Sequence, residues 1–345
     1  MTTMKKNVLI ACAGIIVTCA IYAAVQLFSP LHVGNKSVEV KIPKGATFRE
    51  AVEIFFKEGI IHDRTFFLII GRITGLDRKI RAGYYSIFKS MSTLDLLKML
   101  RSGQIIEYEV TVVEGDSLWE IAEKLAAKGI ATQEQFFGLA SDQDFLTSFD
   151  IEASTFEGYL FPDTYNIPKG MEPEEAIGMM INAFREKYSE EMEERAEELD
   201  FTEREVLTLA SIIEKEAITD EERPVISAVY HNRLKKRMRL QADPTAIYGV
   251  KSSKEKITSS DIRKKTPYNT YVIKGLPPGP IASPGLKSIK AALYPANVPY
   301  IYFVSNNDGT HRFSVTAKER EAAVNSYRKK KQIEQKERRD ADAGT

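Results

Sequence analysis

The chain has 345 residues, long enough for more than one domain, and its 48 basic residues balance its 48 acidic ones. That balance excludes the global basic field by which a protein gathers nucleic acid. The four His and two Cys form no cluster with metal-ligand spacing, and Cys12 and Cys19 both lie in the first apolar run, so neither can staple the rest of the chain.

That run, Val8 to Phe28, contains no charge and matches the roughly 20 residues a helix needs to cross a bilayer. Lys5 and Lys6 precede it, which predicts a cytoplasmic N-terminus (residues 1–7) with the bulk of the chain outside. Small residues from Ala20 to Ala24 would also suit a signal-peptide cleavage site. The apolar stretch is longer than the ~7–15 residues of a signal core, which favours a retained, single-pass anchor over 8–28.

A self-match at an offset of 70 residues organises the next part: Gly45-Ala46-Thr47-Phe48-Arg49-Glu50 aligns with Gly115-Asp116-Ser117-Leu118-Trp119-Glu120. It continues without a gap through Glu53 and Glu123, Gly59-Ile60 and Gly129-Ile130, and Phe66-Phe67 and Phe136-Phe137. A strand-like stretch precedes each Gly, Val38 to Ile42 and Tyr108 to Val113. Helical spacing follows it, at Phe48, Val52 and Phe55 and at Leu118, Ile121 and Leu125. Thr47 with Glu50, and Ser117 with Glu120, are predicted capping boxes. Gly83-Tyr84 and Gly158-Tyr159 extend the match, with Leu160 to Ile167 read as an insertion in the second copy. The expectation is two α+β modules of one strand–helix–helix–strand theme, over 37–105 and 106–182. The stretch Thr111 to Ala122 resembles the opening of a LysM module, which implies binding of N-acetylglucosamine-containing glycans; a spacer without a ligand is the alternative.

After Asn182 the composition shifts. Arg185 to Leu199 is a charged, solvated helix. Thr202 and Glu205 then open an apolar helix to Ala217, in which Val206, Ala210, Ile213 and Ala217 centre a stripe and Lys215 points away from it. Glu214 and Glu216 fall on opposite flanks of that stripe. Each can be partly buried, which raises a carboxyl pKa, but the two cannot face one substrate together. Polar segments suited to sugars follow: Asn232-Arg233, Gln241 to Thr245 with Asp243, and Tyr268-Asn269-Thr270-Tyr271. Amides and Asp satisfy hydroxyls, and Tyr rings stack on pyranoses. Rigid Pro-Gly loops come next, Leu276 to Pro280 and Ala282 to Gly285. Helices are expected at Pro224 to Leu234, Ser259 to Lys264 and Leu286 to Leu293. A hairpin is expected around Asn306 to Gly309, and a charged tail over 329–345, a solvated helix fraying at its end.

Four motifs carry a resemblance: Leu209 to Glu216, Met238 to Thr245, Tyr268 to Tyr271 and Gly275 to Gly279. With Phe156 to Tyr165 upstream, they resemble the YceG-like endolytic murein transglycosylase family. The similarity runs in order from the anchor to the hairpin. It implies an α+β protein with a transmembrane helix, two LysM-like modules and a mixed α/β catalytic domain over 183–328. It also implies cleavage of the bond between N-acetylmuramic acid and N-acetylglucosamine without water, leaving 1,6-anhydro ends and so terminating or trimming nascent strands. By analogy Glu216 is the single catalytic acid and base, with Glu214 the alternative; Ala217 stands where the family often has Thr. Glu157, Asn232, Gln241, Asp243, Tyr268, Asn269 and Thr270 are the substrate-binding candidates. No cofactor or metal is implied. The implied partners are peptidoglycan strands and the cytoplasmic membrane, with peptidoglycan synthases as associated enzymes. Two rivals stay open: a membrane-tethered glycan-binding scaffold, and a muramidase in which Asp243 or Glu157 is a second carboxylate beside Glu216.

Overall fold

The computed structural model describes residues 2–31, 33, 37–76, 80–251 and 255–343. Met1 of the expected cytoplasmic N-terminus and Gly344-Thr345 of the expected tail lie outside them. Helix α1 (Thr2–Phe28) contains the one described segment long and apolar enough to cross a membrane, Lys5–Phe28, with mean hydropathy 2.6.

The chain divides into two compact units, residues 1–109 with 166–171, and residues 110–165 with 172–345. The first contains β1 (Val38–Ile42), α2 (Phe48–Lys57), α3 (Arg64–Ile73), β2 (Gly83–Ile87) and α4 (Thr93–Ser102). Strands β1 and β2 pair antiparallel, Val38 against Ile87 through Ile42 against Gly83. The alternating side chains Val40, Ile42, Tyr85 and Ile87 point to one face, where Phe48, Val52, Phe55, Phe67, Leu96 and Leu100 cover them. The predicted capping box forms: Thr47 N–H donates to Glu50 Oε2 at 2.7 Å, and Glu50 N–H to the Thr47 hydroxyl at 3.3 Å.

The second copy repeats the order: β3 (Glu107–Thr111), α5 (Leu118–Ala127), α6 (Gln133–Ala140), a short α7 (Gln143–Thr147), β4 (Thr164–Pro168) and α8 (Pro173–Lys187). Strands β3 and β4 form their own two-stranded sheet. The strand corresponding to β2 is thus β4, which overlaps the stretch Leu160 to Ile167 expected to be an insertion. The extra residues lie earlier, in α7 and the loop that follows it. The short match of Gly83-Tyr84 with Gly158-Tyr159 misled, because Gly158 is a loop residue with φ +86°.

The rest of the second unit is mainly helical: α9 (Glu190–Glu198), α10 (Glu203–Glu216), α11 (Arg223–Lys235), α12 (Asp243–Ile247), α13 (Ser259–Arg263) and α14 (Leu286–Leu293). Hairpin β5 (Tyr302–Ser305) and β6 (His311–Ser314) is antiparallel, as its turn chemistry predicts, and α15 (Ala317–Ala343) follows. Helix α10 is central, packed by α14, α11, α12 and α9. Residues Val206 to Ile213 are all buried, so α10 has no solvent face over two turns, contrary to the expected stripe.

Candidate active site around Glu216

The start of α10 is fixed by its capping box, Thr202 N–H to Glu205 Oε2 at 2.9 Å. Its end is fixed by Ala217, whose backbone is extended while its N–H still donates to Ile213 O. Glu214 and Glu216 therefore sit in the last turn, where the partial negative charge of the helix C-terminus disfavours a carboxylate unless something answers it.

The two carboxyls are answered differently. Glu214 Oε1 accepts from Arg223 Nη1 at 2.8 Å and Oε2 from the Gly285 N–H at 2.9 Å. Its side chain is 5% exposed, and Arg223 is held in turn by Asp220 and Ser288. This is a buried structural ion pair, with both acceptor oxygens occupied.

Glu216 instead opens onto a cleft of about 580 Å³, lined on its own side by Lys215, Asp243, Pro244, Ile247 and Tyr248. Ser117, Trp119, Glu120 and Glu123 of α5 and its cap line the cleft as well. Burial pushes the Glu216 pKa up to about 7, with the Asp243 carboxylate adding to the rise. The Asp243 N–H, the Tyr230 hydroxyl and Arg233 oppose it. Tyr230 is wholly buried, and its hydroxyl completes no hydrogen bond of good geometry, yet it lies close enough to favour the carboxylate. A carboxyl that titrates near 7 and has stabilisers for its ionised form can give and then take a proton near neutral pH.

The other expected site residues divide. Asp243 lies in the cleft, exposed, with Oδ1 accepting from the Tyr271 hydroxyl. Tyr268 packs on Tyr248 of the cleft lining, with ring centroids 4.6 Å apart. Gln241 is exposed at φ +50°, its N–H donating to Thr270 O at 3.2 Å.

The remaining four each hydrogen-bond groups of the protein itself. Asn232 Nδ2 donates to the carbonyls of Val298 and Tyr300. Asn269 is buried, its Nδ2 serving the carbonyls of Asp261, Ile262 and Lys264 and its Oδ1 the Tyr271 N–H. Thr270 is buried, its hydroxyl bonded to Ala242 N–H and the Thr245 hydroxyl. Glu157 is 2% exposed; its Oε2 accepts from Tyr248 Oη at 2.7 Å and Leu118 N–H at 3.2 Å. Burial pushes its pKa up to about 7, and the Tyr248 hydrogen bond restrains the rise. Polar letters in loops look alike in sequence whether they bind a ligand or hold their own backbone.

Sequence reasoning passed over Tyr230, Tyr248, Lys215 and Trp119. Tyr230 lies in an apolar helical pattern and reads as core. Lys215 lines the cleft while its Nζ donates to Gly115 O at 3.1 Å, a contact 100 residues away with no local signal.

Comparison with known proteins gives a consistent family. Residues 40–326 match the YceG-like family. The chain is 32% identical over 323 residues to a Bacillus subtilis (strain 168) protein named endolytic murein transglycosylase, covering 88% of each chain. It is 30% identical over 303 residues to a protein of that name from Streptococcus pneumoniae serotype 2, covering 79% of this chain and 55% of the relative. A 2.6 Å crystal structure of a YceG-like protein from Listeria monocytogenes matches with TM-score 0.58 and 30% identity, over 83% of this chain and 98% of that one. With most of its length inside that match, the chain belongs to the YceG-like family.

Proposed function

We propose that the protein is an endolytic murein transglycosylase, cutting glycan strands between N-acetylmuramic acid and N-acetylglucosamine with Glu216 as the single acid and base. The observation that supports this most is the contrast within one helix turn. Glu214 is committed to Arg223 and Gly285, while Glu216 opens on the cleft with its pKa near 7. Protonated Glu216 donates to the glycosidic oxygen as the bond to C1 breaks. The resulting carboxylate accepts the proton of the C6 hydroxyl of the muramic acid, whose oxygen bonds to C1 and closes the 1,6-anhydro ring. Nucleophile and electrophile belong to one sugar, so much of the entropic cost of bringing them together is absent. The Lys5–Phe28 segment is read as a retained single-span anchor in the cytoplasmic membrane, with both repeats as LysM-like modules outside it. Peptidoglycan synthases are the partners this reading suggests.

A second reading keeps a foothold in Asp243, which shares the cleft and could serve as the second carboxylate of a muramidase. Glu157 does not fit that role, being buried behind Tyr248. The test is digestion of purified sacculi in heavy-oxygen water, with products read by mass spectrometry. The transglycosylase reading expects anhydro ends without the label. Labelled reducing ends would establish the muramidase, and bound but uncut glycan the scaffold. Glu216→Gln should lower the rate by ~10²–10⁴-fold, the range general acid–base catalysis supplies.

A further inference from the structure

We propose that Trp119 is a sugar-stacking residue of the Glu216 cleft, so that the second repeat supplies a pyranose subsite to the groove rather than only a tether. The inference rests on the glycan-cleaving reading above. Trp119 is the single Trp of the chain and is 55% exposed. An exposed Trp is ordinary when scattered on a surface; this one lines the same cleft as Glu216.

Its position is built. The Phe137 ring backs it at 4.4 Å between centroids; Phe136 meets Phe137 edge-on at 5.6 Å, and Phe156 meets Phe136 at 5.4 Å. The turn before α5 is stitched to the loop around Ser283. Gly115 N–H donates to Ser283 O at 2.8 Å, Ser283 N–H donates to Asp116 O at 2.7 Å, and Lys215 grips Gly115 from α10. Leu118 N–H donates to buried Glu157. An indole held this way loses little freedom when a ring settles on it, which is what makes aromatic platforms effective. The first copy has Arg49 at the equivalent place, so the aromatic is not a requirement of the repeat's fold.

Trp119 supplies an apolar face, and Glu123, one helical turn further on, lines the same cleft with a carboxylate that can accept from hydroxyl and amide donors. A carboxylate there disfavours the acidic stem peptides carried by muramic acid. The ring that fits is therefore N-acetylglucosamine.

The single Trp makes the test direct. Full-length Glu216→Gln protein in detergent is titrated with peptide-free glycan strands while its tryptophan emission is followed, and co-sedimentation with sacculi gives binding independently. Stacking predicts a saturable change in intensity with a blue shift. In the otherwise native enzyme, Trp119→Ala should raise KM about three- to tenfold, and Trp119→Phe should restore most of it. Glycan bound with unchanged emission, or an unchanged KM in Trp119→Ala, overturns the subsite and leaves the reaction standing. Emission reports binding alone, so this result is separate from the anhydro ends that test the reaction.

Discussion

Glu216 shares a helix turn with Glu214, and their different surroundings assign them different work. A carboxyl with its pKa raised to about 7 is mostly neutral below that pH, so a reaction that starts by donating its proton should slow as pH rises through about 7. Burial is the larger cause and Asp243 the next, so Asp243→Asn should leave burial in place and remove the electrostatic part of the rise. The expected outcome is an active enzyme whose alkaline limb moves to lower pH, measured as kcat/KM against pH on purified strands. Complete loss of activity at every pH would instead make Asp243 a reacting group and favour the muramidase. Glu214 answers to a different measurement. Glu214→Ala leaves buried Arg223 without its buried carboxylate, with the partly exposed Asp220 as its remaining ion-pair contact, and breaking a buried pair of this kind costs about 3 kcal/mol. A clear fall in melting temperature is expected; an unchanged one would mean the pair contributes nothing to stability. Linkage runs the same way for Glu216 and Glu157. Both pKa values are raised in the fold, so the stability each contributes is full below the ordinary glutamate range and is lost as pH rises through about 7.

At the scale of elements, local chemistry was legible and burial was not. Strand β1, helix α14, the capping boxes at Thr47, Ser117 and Thr202, and the closing hairpin stand where spacing and turn residues place them. Each is decided by groups within a few residues of one another. Helix α10 shows the limit. Thr208 and Ser211 look like part of a wet face, but Thr208 Oγ1 donates to Arg204 O at 2.6 Å and Ser211 Oγ to Thr208 O at 2.8 Å. Ser211 also accepts the Ile281 N–H at 3.0 Å, so a polar residue ties the buried helix to the loop beside the cleft. Periodicity assumes one face in water and fails for a helix covered on all sides. Burial is equally invisible at Glu157, which reads as a ligand residue and lies 2% exposed, bonded to Tyr248 and Leu118. Its neighbour Gly158 takes φ +86°, and a Cβ there would lie 2.5 Å from Pro280 Cβ. Gly158→Ala should therefore combine backbone strain with overpacking, at about 2–4 kcal/mol, and shift the loop that follows Pro280. Thermal melting should fall and activity with it. A variant as stable as the native chain would show that this close approach is relaxed in solution.

Over the whole molecule, the division read from sequence and the division of the fold fall in different places. Composition changes near Asn182, which suggests a catalytic domain over 183–328. The compact unit that contains Glu216 also takes in residues 110–165 and 172–182. Part of the cleft lining comes from α5 and its cap. The turn before α5 exchanges backbone hydrogen bonds with Ser283, and Lys215 reaches from α10 to Gly115. Buried Glu157 joins Leu118 to Tyr248 across 91 residues of sequence on one side. A fragment of 183–328 would leave Tyr248, the Ser283 loop and the Pro280 side of the cleft without these partners. The fragment would also expose apolar surface that the deleted residues cover, at roughly 25 cal/mol per Å², against a total stability of only ~5–15 kcal/mol. The expected outcome is that 183–328 unfolds non-cooperatively or melts far below the intact chain, and yields no anhydro ends from sacculi. Circular dichroism melting and mass spectrometry of the digest check the two halves of that expectation. A fragment that folds cooperatively and still releases anhydro ends would show that the second repeat is dispensable to the chemistry. Its place in the unit would then be a matter of packing, and Trp119 would serve affinity alone.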